Sequence, residues 1–368
     1  MEFHELESVY RKYLSLDHDP HLLRLIYAVV LANRYDGVPV WAMVIGRAGG
    51  GKTQLLMPMY GAEGVVDAST LTPNALLSGQ GEEYSMLHRL THPHALLIVE
   101  DMSGLSALPK ESKQAIYSFF RQAFNGKLHK WHGRGDEEWS GKFGMLGGTT
   151  QAIEFDRANE AALGERFLYI RIRDTYDLSY DRELIRAALR NTGTESMMRE
   201  ELGEASRTFI EEFYINPDRR KLPHDLLDVI SECGLYLSRA RSTIQRDTYT
   251  KDVHFPAMPV EVGTRVTKQL VLVALAARAM GTGWDFIKEM IYRITLDSLP
   301  FPRLLAMKAL ANGRNRSKDV ARTMRVHTSI STRVLEEMEM LGITRKTSDG
   351  SHEIASGVMA DAIRSVEG

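Results

Sequence analysis

Gly46-Arg47-Ala48-Gly49-Gly50-Gly51-Lys52-Thr53 is the stretch on which the reading of this sequence turns. It completes a G-x-x-x-x-G-K-T pattern between the apolar run Val38 to Ile45 and the segment Gln54 to Tyr60. A strand, a glycine loop and a helix in that order make a cradle for nucleotide phosphates. Side chains at Gly46, Gly49, Gly50 and Gly51 would obstruct a backbone that must turn successive N–H groups onto phosphate oxygens. Lys52 supplies a point charge for the outer phosphates, and Thr53 offers its hydroxyl to Mg2+ at the helix N-terminus.

Outward from the loop, apolar runs alternate with helical patterns: Trp41 to Ile45, Gly64 to Asp67, Ala95 to Val99, Phe143 to Gly148 and Phe167 to Ile172. Strands alternating with helices predict an α/β fold around a five-stranded, mostly parallel sheet covered on both faces. The run Ala95 to Val99 ends in Glu100 and Asp101, which delivers acids at the carboxyl end of a buried strand. One carboxylate there orders a Mg2+ shell, and a second polarises an attacking water. Neighbouring strand residues point to opposite faces, so sequence leaves open which acid has which task. The fourth strand ends in Thr149, Thr150 and Gln151. A hydroxyl at the tip of a strand lying between the loop strand and the acidic strand reaches a terminal phosphate or the attacking water, and Thr150 or Thr149 is the candidate.

The bulk composition narrows the field. With 368 residues, 43% hydrophobic and 26% charged, the chain has room for two or three core-forming domains. A formal net charge of -2 gives no general affinity for polyanions, so any nucleic-acid surface must be local. Cys233, the sole cysteine, excludes an intramolecular disulfide and a cysteine-rich metal site. No apolar stretch approaches membrane-spanning length, and Met1 to Arg11 carries acids where a signal peptide would be basic. The expectation is a cytoplasmic protein with no membrane partner. Residues 1–35 read as two helices, and strand signals nearly vanish between Leu178 and Met280.

The loop, the Glu100/Asp101 strand, the Thr149/Thr150 tip and the step Leu163-Gly164-Glu165-Arg166-Phe167 resemble, in motif order and approximate spacing, the AAA+ ATPase family over about residues 36–280. The resemblance implies a P-loop AAA+ core with a helical lid, ATP and Mg2+ as cofactors, and active sites shared between subunits of a homo-oligomeric ring, a hexamer. It also implies that Arg166 is an arginine finger reaching a neighbour's ATP, and that Arg265, at the start of the helix after Gly263-Thr264, contacts the terminal phosphate from the lid, with Lys268 as the fallback. The chain then divides into an N-terminal helical segment (1–35), an ATPase core (36–175), a lid (176–285) and a C-terminal domain (286–368).

Two further segments point to DNA. Gly126 to Lys142 reads as two alternating arms flanking a Gly-Arg-Gly-Asp turn, a β-hairpin pattern. A hairpin just before the fourth core strand is similar to that of helicase-like AAA+ proteins, the minichromosome-maintenance helicases among them, and of bacterial enhancer-binding activators. In a ring it points into the channel, where Lys127, Lys130, His132 and Arg134 would track phosphates and Trp131 would stack on a base. Near the C-terminus, Pro302 to Asn312, Ser317 to Met324 and Ser329 to Leu341 read as helices, followed by a wing of Ile343 to Thr347 and Ser351 to Ala355. This resembles a winged helix-turn-helix. From Arg303 to Lys346 ten Lys or Arg face four Asp or Glu, which favours a polyanion partner. Thr328, Ser329, Ser331, Thr332 and Arg333 stand at the helix end that enters a major groove in this motif, and Arg345, Lys346 and His352 on the wing would meet backbone phosphate. The expectation is an ATP-hydrolysing DNA motor, a replicative helicase or replication initiator of a phage or mobile element. The alternative is a nucleotide-gated DNA-binding switch, a helicase loader or transcription regulator.

Overall fold

The computed structural model describes residues 1–72, 76, 85–132, 135–156, 166–173, 178–215, 221–244, 246–247 and 262–367. Strands β1 (Trp41–Ile45), β2 (Val65–Ala68), β3 (Leu96–Val99), β6 (Gly144–Thr149) and β7 (Phe167–Arg171) form one sheet in the spatial order β2-β3-β6-β1-β7. Every pairing in it is parallel, and β6 lies between β1 and β3. Every residue of β1, β3, β6 and β7 is buried, as a parallel sheet covered on both faces requires. β2 is an edge strand with Asp67 exposed. Between β3 and β6, β4 (Lys127–His132) and β5 (Gly135–Ser140) form a separate antiparallel hairpin.

Trp41 anchors one face of the sheet. Its ring packs edge-on against Phe120 and Phe124 of the helix Lys110–Phe124, with centroids 5.7 and 5.0 Å away, and its Nε1 donates to the Phe143 carbonyl at 2.8 Å. That bond satisfies the one polar atom such a fully buried indole carries into the core. The helix Leu22–Ala32 is apolar and buried at every position but Arg24. Asn33 at its end fastens it to the sheet: Nδ2 donates to the carbonyls of Val29 and Val40 at 2.9 and 3.0 Å, and Oδ1 accepts the Val40 N–H at 2.8 Å. The N-terminal helix Phe3–Tyr13 is held by a buried hydroxyl triangle, Tyr10 with Tyr27 and Ser206 at 3.0 Å each and Tyr27 with Ser206 at 2.8 Å. Burial pushes the Tyr10 phenol up to about 12, so the triangle stays neutral at ordinary pH.

Contacts divide the chain into two compact units. One comprises Met1–Asp156, Arg166–Lys221 and Leu272–Gly283 and so holds the sheet together with the helices Leu178–Asn191 and Glu195–Glu211. The other consists of the described parts of Leu222–Val271 and Trp284–Gly368. In it the helices Phe301–Ala311, Ser317–Met324 and Thr328–Met340 are followed by a short antiparallel pair, β8 (Thr344–Lys346) and β9 (His352–Ile354). Tyr236 of the helix His224–Arg241 donates its hydroxyl to the Ile343 carbonyl at 2.9 Å, and Arg303 donates to the carbonyls of Ala240 and Ser242 at 2.6 and 2.8 Å. Among the described residues no helix is long and apolar enough to cross a membrane.

Asn33→Ala removes three buried hydrogen bonds and strands the Val40 N–H in the core. Urea denaturation should show a loss of about 2 to 4 kcal/mol with an unchanged slope.

Candidate functional site

The glycine loop joins β1 to the helix Lys52–Leu56 at the carboxyl edge of the sheet. The Gly46 N–H donates to the Thr149 carbonyl of β6 at 3.1 Å, and the Gly50 N–H to the Arg47 carbonyl at 3.1 Å. Gly49 and Gly51 have φ of +74° and +83°, left-handed values that a side chain would strain. Lys52 folds back over the loop, its Nζ donating to the carbonyls of Gly46 and Arg47 at 2.8 Å each. Burial holds the Lys52 ammonium below the usual lysine range, and the charge of Asp101 pulls the other way. The two residues come from separate loops and yet feel one another.

Three successive amides after β3 continue its hydrogen bonding outward. Those of Glu100 and Asp101 donate to the carbonyls of Ala68 and Ser69 at 2.9 and 3.2 Å, and that of Met102 turns to the Gly148 carbonyl at 2.7 Å. A Cβ at Gly148 would collide with the Glu100 carbonyl, so the acidic turn crosses β6 there only because the residue is glycine, whereas one at Gly147 would displace the Met102 side chain. Asp101 is exposed, its Oδ1 accepting the Ser103 N–H at 2.8 Å. Ser103 in turn bonds Thr150: its Oγ accepts the Thr150 N–H at 3.0 Å and lies 3.2 Å from Thr150 Oγ1. Thr149 is fully buried and Thr150 is partly exposed, so Thr150 is the threonine at the tip. The Tyr60 hydroxyl, which the sequence did not single out, is buried without a hydrogen-bond partner. Burial, then the charges of Glu100 and Asp67, raise its pKa to about 12.

A cavity of about 450 Å³ opens beside Gly49–Leu55, within the range of small-molecule sites. Its walls are largely apolar and come from distant parts of the chain: Tyr13, Leu16 and Leu22 near the N-terminus, Ile172 after β7, and Tyr180 and Leu184 on the helix Leu178–Asn191. Two contacts bind these walls together. Asn191 Nδ2 donates to the Tyr13 carbonyl at 3.0 Å, and Arg47, a variable position of the loop pattern, pairs with Asp181 at 2.5 and 3.3 Å. The pair is half-exposed, so its energetic weight is small and its effect is to aim the helix at the loop. As walls of a cleft none of these residues was legible from sequence, although Leu22 falls in a predicted helix and Ile172 at the end of a predicted strand.

Arg166 precedes β7 and is 7% exposed, with its guanidinium 5.5 Å from the centre of the Phe124 ring. Leu163, Gly164 and Glu165 lie outside the described residues. Arg265 is partly exposed in the first turn of the helix Thr264–Ala279, and Lys268 is exposed. On the hairpin, Leu128 and Trp139 face each other on the buried side, and Lys130 shares that side opposite Glu137. Lys127 and Trp131 are on the exposed side, Trp131 with 74% of its surface free against 6% for Trp139. Arg134 lies outside the described residues, as does the side chain of His132. In the other unit, Thr328, Ser329, Thr332 and Arg333 are all exposed, whereas Ser331 is buried and donates to the Ser317 carbonyl at 2.7 Å. Lys346 is exposed, Arg345 is exposed and paired with Glu353, and His352 is buried with an unpartnered Nδ1.

Sequence comparison finds no family model and no curated protein that matches the chain.

Arg166→Ala should lower the thermal midpoint by several degrees, because the substitution removes the guanidinium and its stem from the Phe124 face; a melt followed by circular dichroism measures it.

Proposed function

We propose that this chain is an ATP-hydrolysing, DNA-handling protein of AAA+ type, and that it acts as a motor. The observation that supports this most is the meeting of a Lys/Thr-bearing glycine loop, an acidic strand end and a threonine tip along one sheet edge, beside an apolar cleft large enough for a nucleoside. The chemistry of the donors fits the ligand: Thr53 hydroxyl and the carboxylates of Glu100 and Asp101 are hard oxygens of the kind Mg2+ takes. When bound there, the ion would neutralise charge on the phosphates. Lys52 would exchange its bonds to the Gly46 and Arg47 carbonyls for phosphate oxygens. Glu100 and Asp101 would share the orientation of the metal shell and of the attacking water, with Thr150, itself held by Ser103, orienting that water or the terminal phosphate. The base and sugar would lie between Tyr13, Leu16, Ile172 and Tyr180.

In this reading the assembly is a homo-oligomeric ring, a hexamer. Arg166 as a finger would have to leave the Phe124 ring when subunits meet, and Arg265 would act from the lid. The exposed Trp131 and Lys127 would meet single-stranded DNA by stacking and charge. The C-terminal helices and β8–β9 pair would act as a winged helix on duplex DNA through Thr328, Ser329, Thr332, Arg333, Arg345 and Lys346.

ATP turnover, measured with and without single-stranded DNA, tests the motor. The expected result is hydrolysis stimulated by DNA, reduced at least about a hundredfold in Lys52→Ala and in Asp101→Asn, with Trp131→Ala losing only the stimulation. Hydrolysis indifferent to DNA would replace the motor with a nucleotide-gated switch. For the second surface, Arg333→Ala with Arg345→Ala should weaken duplex binding about tenfold or more at moderate salt and flatten the dependence of affinity on salt. Unchanged affinity would make this module a protein-docking one.

A further inference from the structure

The exposed side of the β4–β5 hairpin carries a feature that the reading above does not use. His129, Asp136 and Glu138 all stand on it, and among the described residues they are the one group of three or more His, Cys, Asp or Glu side chains placed to hold a metal ion. Antiparallel pairing creates the group. His129 lies opposite Glu138, and Trp131 opposite Asp136, so the imidazole has one carboxylate straight across and the other diagonally toward the turn. His129 Nε2 is 2.9 Å from Asp136 Oδ2 and 3.6 Å from Glu138 Oε1, and the three donor atoms lie within 4.8 Å of one another.

We propose that His129, Asp136 and Glu138 form a divalent transition-metal site of the zinc class. Two carboxylates converge on one imidazole nitrogen, which carries at most one proton and serves only one of them at hydrogen-bonding distance. A single cation in that place would serve all three. A metal bound at about 2.0 to 2.2 Å from each donor needs donors roughly 3.0 to 3.5 Å apart, and the two separations that involve His129 straddle that range. One imidazole and two carboxylates suit Zn2+, Co2+ or Mn2+ better than the all-oxygen preference of Mg2+ and Ca2+. All three side chains are exposed, at 39%, 46% and 73%, so ions reach them from solvent and water completes the coordination. Occupancy changes the charge of this side of the hairpin: its described ionised groups are Lys127, Asp136 and Glu138, a net of one negative charge that a divalent ion turns into one positive. The Trp131 ring lies 5.0 Å from the His129 ring, tilted against it by 50°, and reports on the site. The site does not depend on the nucleotide reading.

The test is calorimetric titration of Zn2+ alone into the chelator-treated full-length chain, without nucleotide or DNA, together with quenching of tryptophan emission by Co2+. The expected result is one saturable site in the micromolar range, a fall of at least tenfold in affinity in His129→Ala and in Glu138→Gln, and Co2+ quenching that disappears in Trp131→Phe. These residues are exposed, and unchanged circular dichroism in the variants confirms that they fold. Zinc binding of equal affinity in the His129→Ala/Glu138→Gln double variant, or no saturable binding at about 100 µM Zn2+, would overturn the proposal.

Discussion

The end of β6 is bonded on both sides, and the geometry of the candidate site follows from that. On one side the Thr149 carbonyl accepts the first amide of the glycine loop, Gly46. On the other the Gly148 carbonyl accepts Met102, the amide just past the acid pair. The strand therefore acts as a spacer that fixes how far the Lys52 loop stands from Asp101, and it does so with backbone bonds, which no surface substitution disturbs. The spacer works because Gly148 presents no side chain to the Glu100 carbonyl above it. Thr150, one step beyond, is tied through Ser103 to the same turn, so tip, turn and loop form a single hydrogen-bonded edge.

Local pattern carried much of this. The five strands could be read because each is a short run of apolar residues bounded by turn signals, and the structure pairs them as one parallel sheet. The hairpin was legible too, from alternating arms about a Gly-Arg-Gly-Asp turn, and its alternation is real: Leu128 and Trp139 are buried and Trp131 is not. What sequence withheld was whatever depends on residues far apart. The cleft walls draw on Tyr13 and Tyr180, and the Arg47–Asp181 pair spans 134 positions. Arg166 illustrates the same limit from the other direction. Its place before a strand was visible in the sequence, but the Phe124 ring that covers it was not.

The hairpin also shows why counting charges along a segment misleads. Lys127 and Lys130 are three residues apart and look equivalent in sequence, yet alternation sends them to opposite sides. Lys130 is set against Glu137, which is 8% exposed and accepts a hydrogen bond from Ser85. The exposed side keeps Lys127 and Trp131 in company with two carboxylates. Any polyanion approaching that side meets an aromatic face and a mixed charge field, so stacking on Trp131 outweighs simple attraction unless the carboxylates are neutralised.

The C-terminal module resolves its charges differently. Of the ten cations counted between Arg303 and Lys346, Arg303 is buried and donates to two backbone carbonyls and to Glu337 at 3.2 Å, so it contributes structure and not surface charge. Arg246, outside the counted stretch, pairs with Glu336 and Glu337 at 2.7 and 3.0 Å. Both acids stand toward the C-terminal half of the helix Thr328–Met340, and the two arginines neutralise them there. The N-terminal half is left with Thr328, Ser329, Thr332 and Arg333 exposed, hydroxyl donors around one guanidinium at the positive end of the helix dipole. The proposed duplex contact thus rests less on the total of basic residues than on where arginines from outside the helix offset Glu336 and Glu337, with Glu339 left exposed in the last turn, farthest from Arg333.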